Sequence, residues 1–155
     1  MKILLAVDGS TGSDAATQQI LSRPWPEGSE VKIISVAELL TTVTPENFWV
    51  PANYYLKLEQ SLQEQARTAI ERAEARFKEA NSPLKVSTEI INGVAKDVIV
   101  EEAERWGADM IVLGSHGYRG LKKLWYGSVS QAVAAHAHCS VEIVRTHTAE
   151  QGVAA

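Results

Sequence analysis

Apolar runs alternate with stretches of helical periodicity along the chain, and that alternation predicts the architecture. Residues 3–7 read Ile3-Leu4-Leu5-Ala6-Val7 and close on Asp8-Gly9-Ser10. A short unbroken apolar run ended by turn residues predicts a strand buried on both faces. Residues 31–36 (VKIISV) form a second β-branched run, preceded by the turn-rich Pro24-Trp25-Pro26-Glu27-Gly28. Residues 84–91 (LKVSTEII) alternate more, which predicts one partly exposed face or a place at a sheet edge. Met110-Ile111-Val112-Leu113 is short and wholly apolar, and residues 141–145 (VEIVR) close the set as an alternating strand.

Helical segments lie between these runs. Residues 13–21 follow a group of capping side chains: Ser10, Thr11, Ser13 and Asp14. Residues 56–80 form the longest, with Leu58, Leu62, Ala66, Ala69, Ala73 and Phe77 at helical spacing and a stop at Asn81-Ser82-Pro83. Residues 94–106 end at Gly107, and residues 128–137 form the last helix. The order β-α-β-α-β-α-β-α-β predicts an α/β fold, a five-stranded parallel sheet with helices on both faces and right-handed crossovers. One domain is expected over residues 1–147, with a tail at 148–155. Residues 39–55 fit neither period and carry Phe48-Trp49-Val50 and Tyr54-Tyr55, aromatics that either staple the loop to the long helix or mark a contact surface.

Composition changes this picture only by exclusion. The net charge is −4 with no lysine or arginine block, which removes the electrostatic case for nucleic acid. Cys139 is the single cysteine, so no intramolecular disulfide forms. No stretch approaches the roughly 18 apolar residues of a membrane span, and the first residues lack a secretory pattern. A cytoplasmic location is expected.

Chemistry concentrates where strands end. In an open parallel sheet, ligands sit beyond the carboxyl ends of strands. Asp8, Val36 and Gly114 open the segments that emerge there. The last reads Gly114-Ser115-His116-Gly117-Tyr118-Arg119-Gly120, and Gly127-Ser128-Val129-Ser130 then opens a helix. Glycines let backbone N–H groups approach an anion, and a helix N-terminus adds unpaired donors. By composition alone these glycines serve equally well as plain turns, with Ser128 as a cap.

The spacing Gly-x2-Gly-x9-Gly-Ser, on Gly114, Gly117, Gly127 and Ser128, resembles the nucleotide-binding signature of the universal stress protein family. The opening at residues 3–10, the segment 108–117 and the closing 139–145 resemble it as well. The resemblance implies a Rossmann-like fold of the adenine nucleotide α-hydrolase kind, with strand order 3-2-1-4-5. It further implies the subgroup that binds ATP, with Mg2+ bridging the phosphates. Asp8, with Ala6 and Val7 before it, would lie near the ribose and first phosphates, and Val36 would meet adenine through its backbone. Leu113 and Gly114 would line base and ribose. Gly117, Gly127, Ser128, Val129 and Ser130 would hold the phosphates, with His116 inside the motif. It implies a nucleotide-responsive stress regulator and a homodimer paired through the last strand, from Val141 to Arg145.

The same residues admit rival chemistries. A slow ATPase would draw on Asp8, His116, Arg119 and Lys122 near the phosphates; AMP or a cyclic nucleotide would fit the same fold. Gly120-Leu121-Lys122-Lys123 is no Walker loop, and Asp8-Gly9-Ser10-Thr11-Gly12-Ser13-Asp14 lacks the glycine pair of an ATP pyrophosphatase. His136 and His138 do not share a helix face, so a metal pair is not expected. Glu101 and Glu102 are expected on a solvated face.

Overall fold

The computed structural model describes residues 1–38, 52–116 and 127–146. Nine elements follow in order: β1 (Lys2–Ala6), α1 (Thr11–Leu21), β2 (Glu30–Ala37), α2 (Ala52–Glu79), β3 (Lys85–Asn92), α3 (Ala95–Trp106), β4 (Met110–Gly114), α4 (Ser128–His136) and β5 (Ser140–Val144). All pairings are parallel and the strand order is β3-β2-β1-β4-β5, as expected. The less regular apolar pattern of β3 and β5 corresponds to their places at the two edges.

Strand alternation divides the core into two layers. Ile3, Leu5, Val31, Ile33 and Val112 face Ala16 and Ile20 of α1 and Ala69, Ala73 and Phe77 of α2. Leu4, Ile34, Ile111 and Leu113 face Ile99 and Ala103 of α3 and Val133 of α4. Burial on both sides is why residues 3–6 of β1 and 110–113 of β4 run apolar without a polar face.

Helix ends have local causes. Ser10 caps α1, its Oγ accepting from Ser13 N at 3.2 Å. Gly107 ends α3 in the left-handed region at φ 70°. Asn81 does the same after α2, at φ 47°, so that helix stops before proline is reached. At 28 residues α2 is about 42 Å long, far longer than the strands it covers. Among the residues whose burial is described, its first buried one is Ala66, and Tyr54, Tyr55 and Leu56 stand exposed on its first turns.

Glu102 corrects the expected solvated face. It is 4% exposed and packs beneath α3 against Lys32 of β2. Lys32 Nζ lies 2.5 Å from Glu102 Oε1 and 2.5 Å from Glu89 Oε2, and Arg105 Nε donates to Glu102 Oε2 at 2.7 Å. Burial works against the Lys32 charge, but its bonds to Glu102 and Glu89 outweigh this and raise its pKa. The bond from Lys32 holds the Glu89 carboxyl below its ordinary range.

Candidate functional site

The chain turns direction between β1 and β4: β1 leads outward through α1 to β2, while β4 lies on its other side. The carboxyl ends of these adjacent strands are the usual ligand position of such sheets. The segments after β1 and β4 line it.

The β1 segment is held tightly. Val7 N–H donates to Ile34 O at 2.9 Å and extends the ladder by one residue. Asp8 then leaves the sheet, and its Oδ1 accepts from Ser10 N–H at 3.0 Å. Gly9 takes φ 81°, the conformation that favours glycine. Arg72 of α2 donates through Nη2 to Gly9 O at 2.8 Å and to Asp14 Oδ1 at 2.8 Å.

Gly114 meets this segment at close range. A Cβ on Gly114 would lie 2.5 Å from Gly12 C, and one on Gly12 would lie 2.4 Å from His116 O. The first turn of α1 therefore seats directly on the end of β4. Ser10 Oγ, directed at His116 O from 3.4 Å, closes the same contact. The N-terminus of α1 is thus occupied by its own cap and by the neighbouring backbone.

The N-terminus of α4 is built differently. Its cap is Gly127, with no side-chain cap bond. Gly127 N–H donates to Ser115 O at 2.7 Å, so the chain that leaves β4 at His116 returns at a pinched neck. Ser130, 2% exposed, directs its Oγ at Ser115 O (3.1 Å) and Gly127 O (2.9 Å). A single hydroxyl proton serves the neck, which leaves the N–H groups of the first turn as the donors toward an anion. A Cβ on Gly127 would come within 3.1 Å of Ser115 O.

Val36 lies one strand beyond. Residues of even number in β2 direct their backbone groups toward β1, as Glu30 N–H to Met1 O and Ile34 O from Val7 show. Val36 therefore points its peptide groups to the side where β1 has turned away into the Asp8 segment. Two strand spacings, about 10 Å, separate β2 from β4.

The structure brings Ala6, Val7, Asp8, Val36, Leu113, Gly114, His116, Gly127, Ser128, Val129 and Ser130 to one end of the sheet. Val7, at 5% exposed, and Leu113, at 4%, are core side chains, so only their backbones face a ligand. Gly117, Arg119 and Lys122 lie outside the described residues, as do Phe48, Trp49 and Val50. Tyr54 and Tyr55 pack edge to face with centroids 6.2 Å apart. A cavity of about 150 Å³ beside the site, lined by Ala37, Glu59, Leu62, Asn92 and Gly93, is too small for a nucleotide.

Gly12, Ser115 and Arg72 were not among the residues expected at the site. Gly12 carried a signal, since glycine in a helical turn costs stability unless something approaches closely. Ser115 and Arg72 carried none, because their partners are distant in the chain.

The model of the universal stress protein family matches residues 1–145. Universal stress protein MJ0531 of Methanocaldococcus jannaschii is 32% identical over 93% of this chain and 81% of its own. The solved structure of the hypothetical protein MJ0577 superposes with a TM-score of 0.77 at 26% identity, covering 94% of this chain and 95% of that one. A universal stress protein family structure from Arabidopsis thaliana with AMP bound gives 0.67 at 20% identity, over 96% and 93% of the two chains.

Proposed function

This chain belongs to the universal stress protein family, and from that premise we propose that it binds ATP with Mg2+ as a nucleotide-responsive regulatory module. The observation that carries this is the N-terminus of α4 at Gly127, which has no side-chain cap, beside the switch point where the α1 N-terminus is already capped by Ser10. Phosphates would take the N–H groups of Ser128 and Val129, with Gly117 and Gly127 giving them room. Ser130 would contribute its backbone, since its hydroxyl closes the neck. Adenine would meet the Val36 peptide groups, and the ribose would lie between Asp8 and Gly114. His116, at the neck, would border the phosphates.

The residues fit a metal that arrives with its nucleotide. Among the described residues no three His, Cys, Asp or Glu side chains converge on one point. Mg2+ commonly keeps several waters and is held by phosphate oxygens with one or two protein groups. The ion would neutralise triphosphate charge, and Asp8, beside the first phosphates, would accept from its waters.

Calorimetric titration with ATP, AMP and cyclic AMP, each with and without EDTA, tests the ligand. Mg-ATP is expected to bind most tightly, and EDTA to weaken ATP by at least tenfold while leaving AMP within about twofold. No binding of ATP at millimolar concentration would defeat the proposal. The AMP-bound relative makes AMP the leading rival, and tighter binding of AMP than of Mg-ATP would establish it. Residues 140–144 form an edge strand of the sheet, where a second copy would add its own strand. Light scattering across the same titration is expected to give a dimer; a monomer throughout would remove that part.

A further inference from the structure

We propose that Arg72 of α2 is a positioning residue for Asp8: it fixes the peptide that sets the orientation of the Asp8 carboxylate, and so governs how the protein distinguishes ribose hydroxyls. The proposal rests on Asp8 meeting the ribose, as above. The Gly9–Ser10 peptide is held from both sides. Its carbonyl accepts from Arg72 Nη2 at 2.8 Å, and its N–H donates to Asp8 Oδ1 at 3.0 Å. A bond from a guanidinium is stronger than one from a neutral donor, and it polarises the peptide so that the N–H on its far side donates better.

Gly9 sits at φ 81°, and glycine is the residue least confined to a single backbone conformation. The loop therefore depends on outside contacts to keep the peptide plane in place. Arg72 suits that task because Nη2 also bonds Asp14 Oδ1 at 2.8 Å, anchoring the guanidinium to the first turn of α1. Arg76, one turn later on α2, shares Asp14 through a bond to its carbonyl at 3.3 Å but does not bond Gly9. Loss of Arg76 thus removes a helix-to-helix contact and leaves the hold on the loop, whereas loss of Arg72 removes both.

Arg72→Met keeps most of the side-chain stem and removes the donors, at a position 45% exposed, where methionine is tolerated. Wild type, Arg72→Met and Arg76→Met are titrated with Mg-ATP and with Mg-2′,3′-dideoxy-ATP by calorimetry. Wild type is expected to prefer ATP by about tenfold, the size of one well-placed bond to a carboxylate. In Arg72→Met the preference falls to within about twofold while dideoxy-ATP binding changes little; Arg76→Met keeps the wild-type preference. A purely structural role for Arg72 would weaken both nucleotides together and leave their ratio unchanged. Full preference retained by Arg72→Met overturns the inference and leaves the nucleotide site standing. Wild type with no preference for ATP, or with no binding, overturns the assignment of Asp8 to the ribose and this inference with it.

Discussion

Gly114→Ala is expected to lower the stability of the fold by about 3 kcal/mol or more, the upper part of the range for overpacking. The added Cβ would lie 2.5 Å from Gly12 C and 2.8 Å from both Gly12 Cα and Gly12 O. These are backbone atoms of a helix turn, so no flexible side chain can yield. Relief requires α1 to lift from the end of β4, which strains the contacts of Ala16 and Ile20 with the sheet. For a chain of this length the loss amounts to about 6–12 °C in thermal midpoint. Urea unfolding should show a lower midpoint at an unchanged slope. Gly12→Ala is expected to cost a similar amount, since its Cβ would press on His116 O at 2.4 Å. The pair should be less than additive, because either substitution alone lifts the same turn. A Gly114→Ala protein as stable as wild type would mean that α1 is not seated there.

The second large effect belongs to Glu102→Ala, with an expected cost of about 3 kcal/mol, the low end for breaking a buried pair. The low end applies because Lys32, with its side chain 11% exposed, keeps Glu89 at 2.5 Å after Glu102 is gone. Replacing both charges, Lys32→Met with Glu102→Leu, should cost less than about 1 kcal/mol, since no buried charge is then stranded. Equal losses in the single and double variants would count against the pairing.

The same network sets a pH window. Glu89 has a folded pKa below its ordinary 4.5, so its contribution is present above that value and is lost as pH falls through the folded pKa. Lys32 is raised above 10.5, so its contribution is complete below that value and is lost as pH rises through the folded pKa. Glu89→Gln should therefore flatten the acid limb of a stability profile taken by urea unfolding, while leaving the neutral region lower than wild type.

The class of fold was legible because its signals are local. Residues 3–7 and 110–113 are apolar without interruption, and a strand covered on both faces needs that pattern whatever covers it. Gly107 and Asn81-Ser82-Pro83 mark helix ends through their own backbone preferences. The glycines of the 114–127 segment point to the proposed site by spacing, although spacing could not separate a cradle from a turn.

Tertiary structure decided how those residues are used. Glu102 looks like a helix-surface carboxylate until β2 places Lys32 beneath it. Ser130 looks like a phosphate hydroxyl until the neck at Ser115 takes its proton. Gly12 and Gly114, and Arg72 with Gly9, are separated by long stretches of chain and meet only when α1 and α2 lie on the sheet. Periodicity reports which side of an element is covered; the partner that covers it is set by strand order and crossover, which are long-range and leave no local trace. The sequence by itself therefore determined the elements, the layers and the end of the sheet where the ligand is proposed to bind. Only the assembled sheet decided which backbone groups remain open to it.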